Sequence, residues 1–128
     1  MTSRIDDLLA NARTRLDRVE PPDLAAAMTA GDLVVDIRPE ASRRDEGELP
    51  GAVVVDRNVL EWRLDPTSGF SIPEAAPGRR VVLVCNEGYA SSLAAATLQD
   101  LGLADATDLV GGYRAWFAWS RAGATPGS

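Results

Sequence analysis

Apolar residues along this chain fall into two kinds of run, and their alternation predicts the architecture. Leu33-Val34-Val35-Asp36-Ile37 and Val81-Val82-Leu83-Val84 are short, nearly unbroken and rich in β-branched side chains, as strands buried on both faces are. Residues 52–55 and 107–110 read as two shorter strands, and an extended piece lies around Arg18 to Glu20. Between these runs the apolar positions recur at helical spacing. Ile5, Leu8, Leu9, Ala12 and Leu16 share one face over residues 4–17, an amphipathic helix suited to pack on its own domain or on a partner. Pro21-Pro22 can open a helix but not sit inside one, which places a second helix over residues 23–30, ended by Gly31. Pro39 starts a short helix through residues 41–46, and Asn58 caps a turn containing Leu60, Glu61 and Trp62. Residues 91–101 form a helix stopped by Gly102, and Gly111-Gly112 open a last one from Tyr113 to about Arg121.

Helices alternating with buried strands imply an α/β fold: a mainly parallel central sheet of about five strands with helices on both faces. A chain of 128 residues fits one domain. The expected division is an amino-terminal amphipathic helix over 1–18, the domain over 19–122 and a disordered tail over 123–128. The stretch 66–77 is the longest irregular loop, and no internal repeat is present.

Composition narrows the chemistry. Hydrophobic residues at 45% and charged residues at 25% describe an ordinary soluble globular protein, and a net charge of −6 argues against nucleic acid or an anionic membrane as partner. No apolar run reaches membrane-span length, and the polar segment with Arg4, Asp6 and Asp7 is no signal peptide, so a cytoplasmic location is expected. Histidine is absent, which removes Ser-His-Asp and Cys-His catalysis. A metal site would have to combine one thiolate with carboxylates, an improbable ligand set. All 13 basic residues are arginine, so lysine Schiff-base chemistry is excluded as well. A nucleophile here must be activated by backbone and dipole.

The single cysteine, Cys85, stands where the run 81–84 ends and the helix over 91–101 is about to begin. In a parallel α/β unit that junction is the ligand-binding edge, where unpaired N–H groups and the positive end of a helix dipole favour an anion. Such a setting lowers a thiol pKa from about 8.5 into the range of roughly 3.5 to 7.5, making the sulfur a nucleophile. The alternative is a small buried hydrophobe closing a strand.

Four motifs in order bear on that choice: "DIRPE" after one buried strand, "GELPGA" before the next, the glycine-containing loop that begins at Cys85, and "GGYRAW" opening the last helix. Over roughly residues 19–119 the chain resembles a rhodanese-like sulfurtransferase domain. The resemblance implies that Cys85 attacks the sulfane sulfur of a donor such as thiosulfate or a persulfide. The resulting persulfide passes its sulfur to cyanide, a thiol or a protein acceptor, with no metal or organic cofactor. The loop Asn86, Glu87, Gly88, Tyr89, Ala90 and Ser91 would cup the sulfur with backbone N–H groups. Asp36 reads as a structural partner of Arg38, which either joins that ion pair or binds an anionic donor at the pocket mouth. Family members often carry a cation inside the loop, whereas this chain has Ala90 there and Glu87 nearby. A carboxylate facing the pocket would repel thiosulfate by about 1 to 3 kcal/mol per charge at an effective dielectric of about 20; one facing solvent would not. Two rival readings follow. A non-catalytic rhodanese-like module would bind a protein or carry sulfur. A cysteine-dependent phosphatase or arsenate reductase would need an Arg six residues after the cysteine, where Ser91 stands.

Overall fold

The computed structural model describes residues 2–123, so of the tail expected over 123–128 only Gly123, which caps the last helix, is described and the rest lies outside the described residues. Ser3 opens α1 (Arg4–Arg13) with a capping box: its hydroxyl accepts from the Asp6 N–H while the Asp6 carboxylate accepts from the Ser3 N–H. The helix stops short of residue 17, and tight turns bonding Arg15 to Ala12 and Leu16 to Arg13 carry the chain onward. A 3-10 turn at Pro21–Asp23 leads into α2 (Leu24–Thr29). There follow β1 (Leu33–Asp36), α3 (Glu40–Glu46), β2 (Val53–Val54), a 3-10 turn at Arg57–Val59, α4 (Leu60–Leu64), β3 (Val81–Val84), α5 (Ala90–Asp100), β4 (Thr107–Asp108) and α6 (Gly112–Ala122). Asp56, rather than Asn58, supplies the cap before α4, its side chain accepting the Asn58 N–H at 2.7 Å.

The sheet is wholly parallel in the order β2-β1-β3-β4. Among the described residues it has four strands rather than about five. The extended piece at Val19 makes a single parallel bridge to Leu109, because Pro21 and Pro22 carry no N–H with which to lengthen the ladder.

Period-two alternation along β1 and β3 divides the core between two faces. Leu33, Val35, Val81 and Leu83 pack with Leu60, Leu64, Ala94, Ala95 and Leu98 on one side. Val34, Val82 and Val84 pack with Leu24, Leu109 and Tyr113 on the other. Both central strands are buried throughout, which is why their sequences need no polar face. The loop over 66–77 pins Ile72 and Ala75 into the first face, with the Ile72 N–H donating to the Arg63 carbonyl. The first helix docks on α5 of its own domain, burying Ala12 while leaving Ile5 and Leu8 exposed. Among the described residues no helix is long and apolar enough to cross a membrane.

Candidate active site

Cys85 follows β3 directly, and four residues separate it from α5. The turn depends on glycines. Gly88 has φ +84°, and a Cβ there would lie 2.8 Å from the Gly111 nitrogen; a Cβ on Gly112 would lie 2.5 Å from the Cys85 carbonyl oxygen. That approach lets α6 begin against the loop. The Tyr113 N–H donates to the Cys85 carbonyl at 2.8 Å and the Arg114 N–H to the Asn86 carbonyl at 3.1 Å. The first two carbonyls of the turn are thereby directed toward α6.

Gly88 N–H donates to Cys85 Sγ at 3.1 Å and Ser91 N–H at 3.4 Å, the second from the first turn of α5. The thiol in turn donates to Ser91 Oγ at 3.2 Å, and the Ser91 hydroxyl donates to Asp108 Oδ2 at 2.7 Å. Ser92 Oγ donates to the same oxygen at 2.7 Å. Asp108 ends β4 and is fully buried; Arg18 holds it with Nε to Oδ1 at 2.8 Å and Nη2 to Oδ2 at 3.2 Å. The Gly88 carbonyl accepts from Arg13 Nη2 at 2.7 Å and from Arg18 Nη2 at 3.1 Å. A continuous polar path thus runs from the sulfur through Ser91 to a carboxylate and on to Arg18.

A cavity of about 350 Å³ opens beside Cys85, lined by Ile37, Arg38, Pro39, Arg57, Asn86, Glu87, Tyr89 and Ala90. Glu87, Tyr89 and Ala90 are exposed at the loop, while Gly88 and Ser91 are buried beneath it. The Arg38 guanidinium is buried: Nε and Nη2 bond the Asp36 carboxylate, Nη2 also reaches the Gly47 carbonyl, Nη1 has no hydrogen-bond partner among the described residues, and the group lies 3.8 Å from the centroid of the Tyr113 ring. Glu87 pairs with Arg114 at 2.8 Å, and Arg114 is shared with Glu46. Hydrogen bonding to Arg114 holds the Glu46 carboxyl below its ordinary value, and the same bond raises Arg114 above its own. Among the described residues no group of three or more His, Cys, Asp and Glu could hold a metal ion. A second cleft, of about 380 Å³, lies at the opposite, amino-terminal edge of the sheet around Val81 and Leu103 and brings no nucleophile.

Asn86, Glu87, Tyr89, Ala90 and Arg38 therefore meet at the cavity with Cys85, Gly88 and Ser91 touch the sulfur from within, and Asp36 stands behind Arg38. Sequence reasoning did not single out Arg57, Arg13, Arg18, Ser92 and Asp108. Arg57 and Asp108 had a signal, since each lies at or just past the carboxyl end of a strand, where such sheets bind ligands.

A parallel sheet with a cysteine at the carboxyl end of a central strand, cupped by N–H groups of the following turn and helix, defines a cysteine-loop α/β domain. The rhodanese-like domain model matches residues 20–118, and the chain belongs to that family. Among curated proteins it is 32% identical over 84 residues to the maize (Zea mays) adenylyltransferase and sulfurtransferase MOCS3-2; the match spans 66% of this chain and 17% of that protein. The chain thus spans less than a fifth of the length of the curated relatives it matches. A solved structure from Rhodopseudomonas palustris CGA009, described as a possible tyrosine phosphatase, superposes with a TM-score of 0.82 at 29% identity, covering 94% of this chain and 93% of the other. The rhodanese homologue TT1651 of the extremely thermophilic bacterium Thermus thermophilus gives 0.55 at 32% identity, covering 76% and 96%.

Proposed function

We propose that the protein is a sulfurtransferase that carries sulfane sulfur as a persulfide on Cys85. The observation that carries this reading is the pair of backbone N–H groups aimed at Sγ beside an open cavity. The Cys85 thiolate attacks the outer sulfur of a donor; a sulfur–sulfur bond forms, the donor's own bond to that sulfur breaks, and the leaving group departs with the electron pair. An acceptor thiolate or cyanide then attacks the outer sulfur of the persulfide, and Cys85 leaves as thiolate. Neither step needs an imidazole, and the N–H groups stabilise sulfur anion and transition state alike. Both guanidiniums lining the cavity are paired, Arg38 with Asp36 and Arg57 with Glu61, which favours a low-molecular-weight persulfide over the thiosulfate dianion as donor.

The description of the R. palustris structure raises a phosphatase reading. Against it, the sixth residue after the cysteine is Ser91, whose hydroxyl is bound to the Asp108 carboxylate, so the place of a phosphate-binding arginine is backed by negative charge. Intact mass after incubation with thiosulfate, and separately with glutathione persulfide, tests the proposal. It requires a reductant-sensitive gain of one sulfur atom that Cys85→Ser abolishes. No gain from either donor would leave the family's protein-binding role, and Cys85-dependent hydrolysis of an aryl phosphate would replace the proposal with the phosphatase.

A further inference from the structure

We propose that Arg13 and Arg18, which precede the family-matched residues, are positioning residues for Cys85: they pin the Gly88 carbonyl and balance the Asp108 carboxylate. The turnover part of this inference rests on the sulfurtransferase reading; the part concerning the thiol does not.

Gly88 is the residue whose N–H points at the sulfur, and as a glycine at φ +84° it has no Cβ to restrain its rotation. Its carbonyl is held instead. Two guanidiniums converge on that one oxygen, at 2.7 Å from Arg13 and 3.1 Å from Arg18, with the Ser92 hydroxyl farther off at 3.2 Å and closer to Asp108. Each arginine has a second anchor that fixes its fork, Arg13 Nε on Ser92 Oγ at 3.1 Å and Arg18 Nε on Asp108 at 2.8 Å. Because C=O and N–H point oppositely in a trans peptide, a carbonyl pinned to the arginines also holds the Tyr89 N–H away from them. The arginines are themselves anchored. The helix bearing Arg13 packs on α5, its continuation is tied by Arg15 to Asp100 at 2.6 Å, and the Arg13 guanidinium lies 5.5 Å from the centroid of the Tyr89 ring.

Charge adds to the argument. Residues 86–90 hold Glu87 and no cation; Arg114 pairs with Glu87, and the positive charge placed on the Gly88 carbonyl comes from this preceding segment. Facing the thiol are Asp108 with Arg18 behind Ser91 and Arg13 over Gly88; around the cavity are Arg38 with Asp36, Arg57 with Glu61, and Glu87 with Arg114. When the sulfur loses its proton, Ser91 must turn its hydroxyl from Asp108 to the sulfur. Asp108 then keeps Ser92 and both contacts from Arg18, so the carboxylate remains balanced while the new anion forms.

The experiment is the rate of Cys85 alkylation by iodoacetamide across pH, read by intact mass on the full chain, with thermal melts alongside. Arg13→Gln and Arg18→Gln each slow alkylation at neutral pH by about fivefold and move the profile to higher pH, and Arg13→Lys recovers part of the loss. In sulfur transfer the same variants lower kcat and leave the donor KM near that of the parent. A profile that stays in place in Arg13→Gln, with only the melting temperature reduced, overturns the inference. Arg13 is half-buried, so that variant decides even if Arg18→Gln fails to fold. Alkylation needs no sulfur donor, so a protein inactive in sulfur transfer still answers the question about the thiol.

Discussion

Two arginine–aspartate pairs flank the cysteine loop, one fully buried and one with its arginine half-buried, and they serve different ends. Asp36 and Arg38 are two residues apart at the end of β1, with side chains 1% and 0% exposed; Arg18 and Asp108 are 90 residues apart, with side chains 18% and 0% exposed. The bonds of the first pair lead away from the sulfur. Its remaining contacts, the Gly47 carbonyl and the Tyr113 ring, tie β1 to the end of α3 and to α6. The second pair reaches the sulfur through one hydroxyl, Ser91. Two pairs of the same residue types thus take different places, one tying elements of the fold together and one reaching the Cys85 sulfur through a hydroxyl, and the difference lies in the neighbour each aspartate touches.

Removing one partner of a fully buried pair leaves an uncompensated charge, so Arg38→Ala should cost about 3 to 5 kcal/mol of stability in denaturant titration. Where that variant remains folded, the pH profile of Cys85 alkylation should match the parent; a displaced profile would erase the contrast between the pairs. Asp108→Asn should cost less, about 2 to 3 kcal/mol, because the amide still accepts from the serines. It should move alkylation to lower pH, opposite in sign to Arg18→Gln, since negative charge behind Ser91 is lost. Equal signs for the two variants would refute the electrostatic account of this pair. The smallest effect belongs to the exposed counterpart, Arg114 with Glu46. Glu46 titrates below its ordinary value of 4.5 when folded, so the pair's contribution is complete above that value and is lost as pH falls through the lower, folded one. A comparison of Glu46→Gln with the parent should show a melting difference of about 1 °C at neutral pH that vanishes in acid.

The sequence pattern makes the local pair visible and hides the distant one. "DIR" places Asp36 and Arg38 side by side at a strand end, and the apolar run 81–84 leads straight to Cys85, so both can be read from neighbours in the chain. Arg13 cannot. On a helical wheel it borders the apolar face beside Leu9 and Leu16, where an arginine reads as an ordinary boundary residue, and its role comes from α1 docking on α5, which brings it to a carbonyl 75 residues away. Asp108 is one polar residue within the strand pattern "ATDLV", although a carboxylate in a buried parallel strand needs a partner, and asking for that partner leads to Arg18. The fifth strand is reduced to the bridge at Val19 for an equally local reason, the two prolines that follow. For Glu87 the sequence leaves pocket and solvent equally open; the residue lines the cavity and bonds Arg114, which belongs to the last helix and which no local pattern connects to it.

The seating of α6 against the cysteine loop also bears on how the protein is made. The Cys85 and Asn86 carbonyls receive their N–H donors from Tyr113 and Arg114, so the loop cannot take its final shape while the chain has been synthesised only as far as α5. A growing chain therefore carries Cys85 in a loop without these two hydrogen bonds until Tyr113 and Arg114 have been added.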